Sequence, residues 1–179
     1  MHSLLLSCKD PLWRPVSPDH VAGALTAVGL TGEREEGEAP LYRAGERFLT
    51  LIMFLGCSPQ ISLTAREAEN GQPVCRIRLH DFRTVQLLES RPAPALRCAA
   101  CRASQKRPPS LEYDLQQYCS GCGESVPLYQ LDWRRGAGFG RFFVEVEHVF
   151  PHEAVPADGL MSILEALSGS RWDYFYLSR

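Results

Sequence analysis

Four cysteines are the residues of this chain whose type and spacing can do chemistry. They stand as Cys98-Ala99-Ala100-Cys101 and Cys119-Ser120-Gly121-Cys122, with seventeen residues between the pairs. Within a C-x2-C pair a tight turn brings two thiolates to one metal from the same side, and two such turns can close a tetrahedron of four sulfurs. Gly123 follows the second pair directly, where the absence of a Cβ eases the positive φ that such turns require. Four protein sulfurs saturate the metal, whereas catalytic zinc keeps a position for water. No H-x-E segment precedes the pairs, so the arrangement of a zinc deaminase is absent. The expected cofactor is one structural zinc ion. Iron suits the same ligands, and the spacing leaves it open.

Over residues 96–124 these pairs resemble the zinc-ribbon class, which implies two short hairpins joined by the metal. Around them lie Arg97, Arg102, Lys106, Arg107, Arg134 and Arg135, with Tyr113, Tyr118, Tyr129 and Trp133. Basic and aromatic residues together raise a nucleic-acid reading, with Arg102, Lys106, Arg107, Arg134 and Arg135 as an anion-binding or partner surface. Against it, Glu112, Asp114, Glu124 and Asp132 leave residues 95–135 only +2, which a zinc ion with four thiolates (−2) cancels. A protein partner is therefore the first expectation and nucleic acid the second. Gly136, Gly138 and Gly140 beside Arg134, Arg135 and Arg141 have the composition of a phosphate nest. Phosphate loops open helices, however, and this stretch opens a strand, so a hinge is expected.

Outside that segment the chemical signals are weaker. Met1-His2 offers the amine, amide and imidazole that chelate nickel or copper. In this it is similar to the start of the nickel metallochaperones of hydrogenase and urease maturation, which also carry a four-cysteine zinc domain. It departs from them at Ser3, where they have an acid, and in the separation of its cysteine pairs. The resemblance implies a second function class, metal delivery through His2. Cys57, in Gly56-Cys57-Ser58-Pro59 at a strand end, has the type of a nucleophile and leaves an enzyme as a third class, but no base can be named for it from the sequence, so an inert buried thiol is expected. His148 falls on the apolar face of an alternating segment, and Pro151 denies His148 and His152 a shared helix face.

The remainder of the chain must position these groups. Its 179 residues suit one domain with a small insertion, and a 45% apolar content is enough to build a core. A net charge of −2 gives no general attraction to nucleic acid or anionic membrane. The longest apolar run, Phe48 to Leu55, is too short to span a bilayer, and the N-terminus lacks the pattern of a signal peptide. Seven cysteines, an odd number, fit reduced thiols in a cytoplasmic protein better than a disulfide framework.

Ser3 to Cys8 reads as a buried strand. Ser17-Pro18-Asp19 opens a helix with Val21, Leu25 and Val28 on one face, stopped at Gly29. Thr31 to Ala39 reads as an acidic loop and Phe48 to Leu55 as a central strand, with Asn70-Gly71 marking a turn. Between Val74 and Phe82, Cys75, Ile77 and Leu79 alternate with Arg76, Arg78 and His80. After the cysteines, Val126 to Trp133 reads as a strand closing the ribbon. Phe142 to Phe150 then alternates with Glu145 and Glu147 on the opposite face, expected to meet Arg76 and Arg78 in solvent. Leu160, Ile163, Leu164 and Leu167 mark a second helix before an aromatic strand, Trp172 to Leu177. The expected fold is α+β, a mostly antiparallel sheet with two helices on one face in a ferredoxin-like β-α-β-β…β-α-β order. Residues 1–94 and 136–179 would form the core domain and 95–135 an inserted ribbon. The expected function is that of a non-enzymatic accessory or adaptor protein.

Overall fold

The Leu4-Leu5-Leu6 run, apolar in both directions, becomes an inner strand, β1 (His2–Cys8), with all three leucines at 0% exposure. In the computed structural model, which describes residues 2–37, 40–56, 61–63 and 73–179, β1 lies between two later strands. The elements that follow are α1 (Pro18–Ala27), the hairpin β2 (Thr31–Arg34) and β3 (Leu41–Ala44), α2 (Phe48–Leu51) and β4 (Ile52–Phe54). Next comes the 14-residue β5 (Arg76–Glu89), and after the cysteine segment β10 (Ala137–Glu147), β11 (Ala154–Pro156), α3 (Asp158–Ser168) and β12 (Trp172–Ser178). The main sheet has the order β12-β1-β10-β5-β3-β2, and every neighbouring pair is antiparallel.

One face of this sheet carries the main core. Leu4, Leu6, Ile77, Leu79, Val144 and Val146 pack there against Val21 and Leu25 of α1, Phe48 of α2, and Leu160 and Leu164 of α3. Ser17 caps α1, accepting from the Asp19 N–H, as its sequence requires. The structure is thus α+β, with three α-helices among the described residues rather than the two expected. Thr31 to Arg34 pairs with β3 as a sheet edge, not an acidic loop. The Phe48–Leu55 stretch is not a central strand: it turns one helical turn and then pairs as β4 with β11 outside the main sheet. Its burial shows why, since Phe48, Leu51 and Ile52 are buried while Leu49 and Met53 are 54% and 44% exposed. A run apolar on both faces reads as a strand, but here the buried positions recur at three to four residues.

The second face is closed as well. Leu5, Phe143, Phe175 and Leu177 form a small cluster on it. Beside them Glu145 and Glu147 are 1% and 4% exposed, so these are not the solvated carboxylates expected of an open face. Arg78 donates to Glu147 (2.6 Å) and His80 pairs with Glu145 (2.6 Å), while Arg76 reaches Glu35 (2.9 Å) instead. Burial pushes the Glu145 carboxyl up, but hydrogen bonds from His80 and Ser3, with the charges of His80 and Arg179, outweigh it and hold the group below the usual carboxylate range.

The cover is an arm made by β5 and β10. Their register runs from Val146↔Ile77 to Phe142↔Asp81, breaks at a bulge, and resumes at Gly140↔Gln86 as far as Ala137↔Glu89. Beyond the bulge the arm meets the free edge of β12. Arg91 N–H donates to the Ser178 carbonyl (2.8 Å), the Ser90 hydroxyl to the Tyr176 carbonyl (2.8 Å), and Tyr176 N–H to the Arg135 carbonyl (2.8 Å). Residues 136–140 are therefore no hinge; all but the first lie within β10. Gly138 is glycine because its backbone lies against the Phe175 ring, where a Cβ would collide with Cε1 and stand 2.9 Å from Cδ1.

Candidate metal centre

Each cysteine pair sits at the tip of its own two-stranded hairpin, β6 (Leu96–Arg97) with β7 (Ser104–Gln105) and β8 (Gln116–Tyr118) with β9 (Ser125–Pro127). The two tips repeat one backbone pattern. Cys98 N–H donates to the Ala103 carbonyl (2.9 Å) and Arg102 N–H to the Cys98 carbonyl (3.0 Å). In the second, Cys119 N–H donates to the Glu124 carbonyl (2.8 Å) and Gly123 N–H to the Cys119 carbonyl (2.9 Å). The residue after each second cysteine is left-handed, Arg102 at φ 66° and Gly123 at φ 80°. Gly123 takes that conformation freely; Arg102 holds it at a cost of about 1 kcal/mol or more.

The four sulfurs converge. All lie within 4.8 Å of one another, with Cys98 to Cys122 at 3.7 Å and Cys101 to Cys119 at 3.6 Å. A tetrahedron of sulfurs at the zinc–sulfur bond length has edges of about 3.8 Å, whereas a disulfide needs about 2.0 Å. These distances fit four thiolates around one ion and exclude cystines. Cys98 and Cys119 are buried and Cys101 and Cys122 exposed, so the site is closed on one side and reaches the surface on the other. The donor set is all sulfur, which suits zinc or iron and complements neither magnesium nor calcium.

The surroundings favour thiolate at Cys119. Backbone N–H bonds from Cys122 and Gly121, with bonds from the Cys101 and Cys122 thiols, outweigh desolvation and bring Cys119 well below the ordinary thiol value, to about 6. Gln105 adds a donor from Nε2 to the Cys119 sulfur at 3.3 Å. Cys122 moves the opposite way. The Glu124 N–H pulls it down, but desolvation and its proton-sharing with the other three thiols push it up. The remaining described cysteines are bystanders: burial pushes the Cys75 thiol up to about 12 and raises Cys8 too. Cys57 lies outside the described residues, as do Met1 and Asn70-Gly71.

A small core supports the hairpins. Leu96, Leu128, Leu131 and Trp133 pack with Ala137 and Phe139 of β10, flanked by Val85 and Leu87 of β5. Trp133 is the centre of it: its indole N–H donates to the Leu128 carbonyl (2.9 Å), and its ring meets Phe139 edge-on (5.5 Å). Residues 128–130 form a 3-10 turn, so the strand expected from Val126 to Trp133 ends at Pro127. Sequence reasoning did not single out Gln105, nor the support from Val85, Leu87 and Phe139. The alternation of Val85 and Leu87 with Thr84 and Gln86 was the available signal for the part that β5 supplies.

The basic residues do not form one free surface. Arg102 pairs with Asp132 (2.9 Å), Arg107 grips Glu89 with two bonds (2.8 and 2.7 Å), and Arg135 lies over the Tyr174 ring at 3.9 Å. Lys106 and Arg134 are exposed. His2 is occupied in β1, opposite Ser178, with Nδ1 3.0 Å from the Ser178 hydroxyl and its ring on Phe150. His148 is not on an apolar strand face; the strand ends at Glu147, and His148 takes a left-handed φ of 61° in the loop that follows. No described helix is long and apolar enough to cross a membrane. No family model, curated protein or solved structure matches the chain, so its function has to be read from this centre and the elements that carry it.

Proposed function

We propose that this chain is a zinc-binding accessory protein, without catalysis at the metal, whose ribbon presents a fixed surface to a protein partner. The observation that carries this reading is the meeting of four thiols at tetrahedral distances on a ribbon held by the docked arm. With four protein ligands the metal has no position for a substrate, so its work is to hold the two tips in one shape. Those tips expose Ala99, Ala100, Ser120 and Gly121, with Tyr118 65% exposed beside them. A rigid patch with one large aromatic is the composition of a protein contact. The ion pairs of Arg102 and Arg107 within the molecule favour protein over nucleic acid. Zinc over iron, a reducing compartment such as the cytoplasm, and a ferredoxin-like arrangement of β1, β5, β10 and β12 belong to the same proposal. The last is supported by the order β12-β1-β10-β5 among the longer strands.

The test is parallel affinity capture from the native host with wild-type protein, Tyr118→Ala, and wild type stripped of metal. The reading expects one protein to be enriched by the zinc-loaded wild type and lost in both other arms. Capture of nucleic acid alone, or of the same protein in all three arms, overturns it.

A further inference from the structure

A cleft of about 810 Å³ lies between the ribbon and the end of the main sheet, outside the four-cysteine centre. One wall is the ends of β1 and β12, the other is Ala99 and the 129–133 segment, and Gly138 and Phe139 line it from β10. Its volume falls within the range of small-molecule sites. Six charged side chains line it, and they are not equivalent. The three acids are engaged: Asp132 accepts from Arg102 (2.9 Å) and from the Arg134 N–H (2.8 Å), and Asp173 from the Tyr174 N–H (2.8 Å) with Lys9 at 3.6 Å. Asp10 accepts the Leu12 N–H (3.0 Å). Arg135 and Arg171, by contrast, make no ion pair with a described residue; the Arg135 guanidinium rests on the Tyr174 ring alone.

The backbone beneath Arg135 is unusual. Gly136 N–H donates to the Trp133 carbonyl (2.9 Å), closing a turn whose central residues, Arg134 and Arg135, have φ of 51° and 54°. Two successive left-handed residues make a type I′ turn, which favours Asn-Gly, and two arginines are among the poorer choices for it. Strain of this kind persists where a side chain is needed in place. We propose that the cleft binds a small anion bearing phosphate or carboxylate groups, with Arg135 and Arg171 contacting the anionic group. Guanidinium forks match either group, and the Arg135 guanidinium is carried over the Tyr174 ring at 3.9 Å with no described carboxylate paired to it.

The test uses the zinc-loaded full chain, titrated calorimetrically with pyrophosphate, with citrate and with a polyglutamate peptide. The variants are Arg134→Asn with Arg135→Gly, and Arg171→Gln. Wild type is expected to bind pyrophosphate or citrate below about 10 mM, and each variant to lose about tenfold or more in affinity. The variant with Arg134→Asn and Arg135→Gly should also melt about 2 °C or more above wild type without ligand, because the turn is relieved. Arg171→Gln leaves the turn untouched and separates loss of the cation from any change in folding. The pair of anions reports which group the site prefers. Absence of binding by both small anions, unchanged binding in the variants, or binding of the peptide alone overturns the proposal.

Discussion

Replacing Gly138 by alanine separates a docked ribbon from a hinged one, because the two arrangements give opposite signs. An added Cβ would collide with Cε1 of Phe175 and stand 2.9 and 3.0 Å from Cδ1 and Cζ. The ring cannot swing clear: Phe175 is 3% exposed and packs edge-on against Phe143, itself at 0%, with centroids 6.2 Å apart. Overpacking of that kind costs about 1–3 kcal/mol, and for a chain of this size each kcal/mol is about 2–4 °C in Tm. Gly138→Ala should therefore lower the Tm of the zinc-loaded protein by about 2–12 °C. In a flexible hinge the same change would restrict the unfolded chain and stabilise by about 0.5 kcal/mol. Gly159→Ala is the control, since nothing lies within 4 Å of its Cβ and it sits in α3, where alanine is the better helix former. Thermal and urea unfolding of the three proteins read the result. A Gly138→Ala protein as stable as wild type, or more so, would refute the docking of the arm on β12.

Gln105→Ala removes the donor at 3.3 Å from the Cys119 sulfur and should raise the rate of metal loss to a chelator by about tenfold, measured with a chromogenic competitor. Cys98→Ser with Cys119→Ser should unfold the cluster around Trp133 while the β1–β10 amides keep their protection, because the ribbon's folding is coupled to metal and the main core lies apart from it. Loss of protection throughout would make the ribbon part of one cooperative unit. Glu145 has a folded-state pKa below its unfolded value, so its contribution is full above the unfolded carboxylate pKa and is lost as pH falls through the folded one. Glu145→Gln should accordingly flatten the acid limb of core stability below about pH 4.5, followed through β1 amide exchange; an unchanged limb would mean that the His80 contact contributes nothing.

The four-cysteine cluster was legible because its assembly depends on spacing along the chain: two residues within each pair fix a turn whatever surrounds it. The two longer helices were legible for a similar local reason, a capping signal at Ser17 and an apolar period through Leu160 and Leu164. Phe48 to Leu55 misled because an unbroken apolar run carries no period, and only the tertiary partners of Phe48, Leu51 and Ile52 decide its conformation. The glycines at 136, 138 and 140 misled for the opposite reason. Composition reports conformational freedom, but Gly138 is set by its contact with Phe175, 37 positions later in the sequence. The burial of Glu145 and Glu147 has the same origin, since alternation places them on the second face and only the fold shows that face to be covered.

The central claim, a single zinc ion held by four thiolates, is tested most directly by elemental analysis combined with X-ray absorption at the metal edge of the protein as purified. The account predicts about one zinc per chain with four sulfur neighbours at about 2.3 Å and no visible absorbance. Iron at the site, nitrogen or oxygen in the coordination shell, or a metal-free protein with its cysteines oxidised would contradict it.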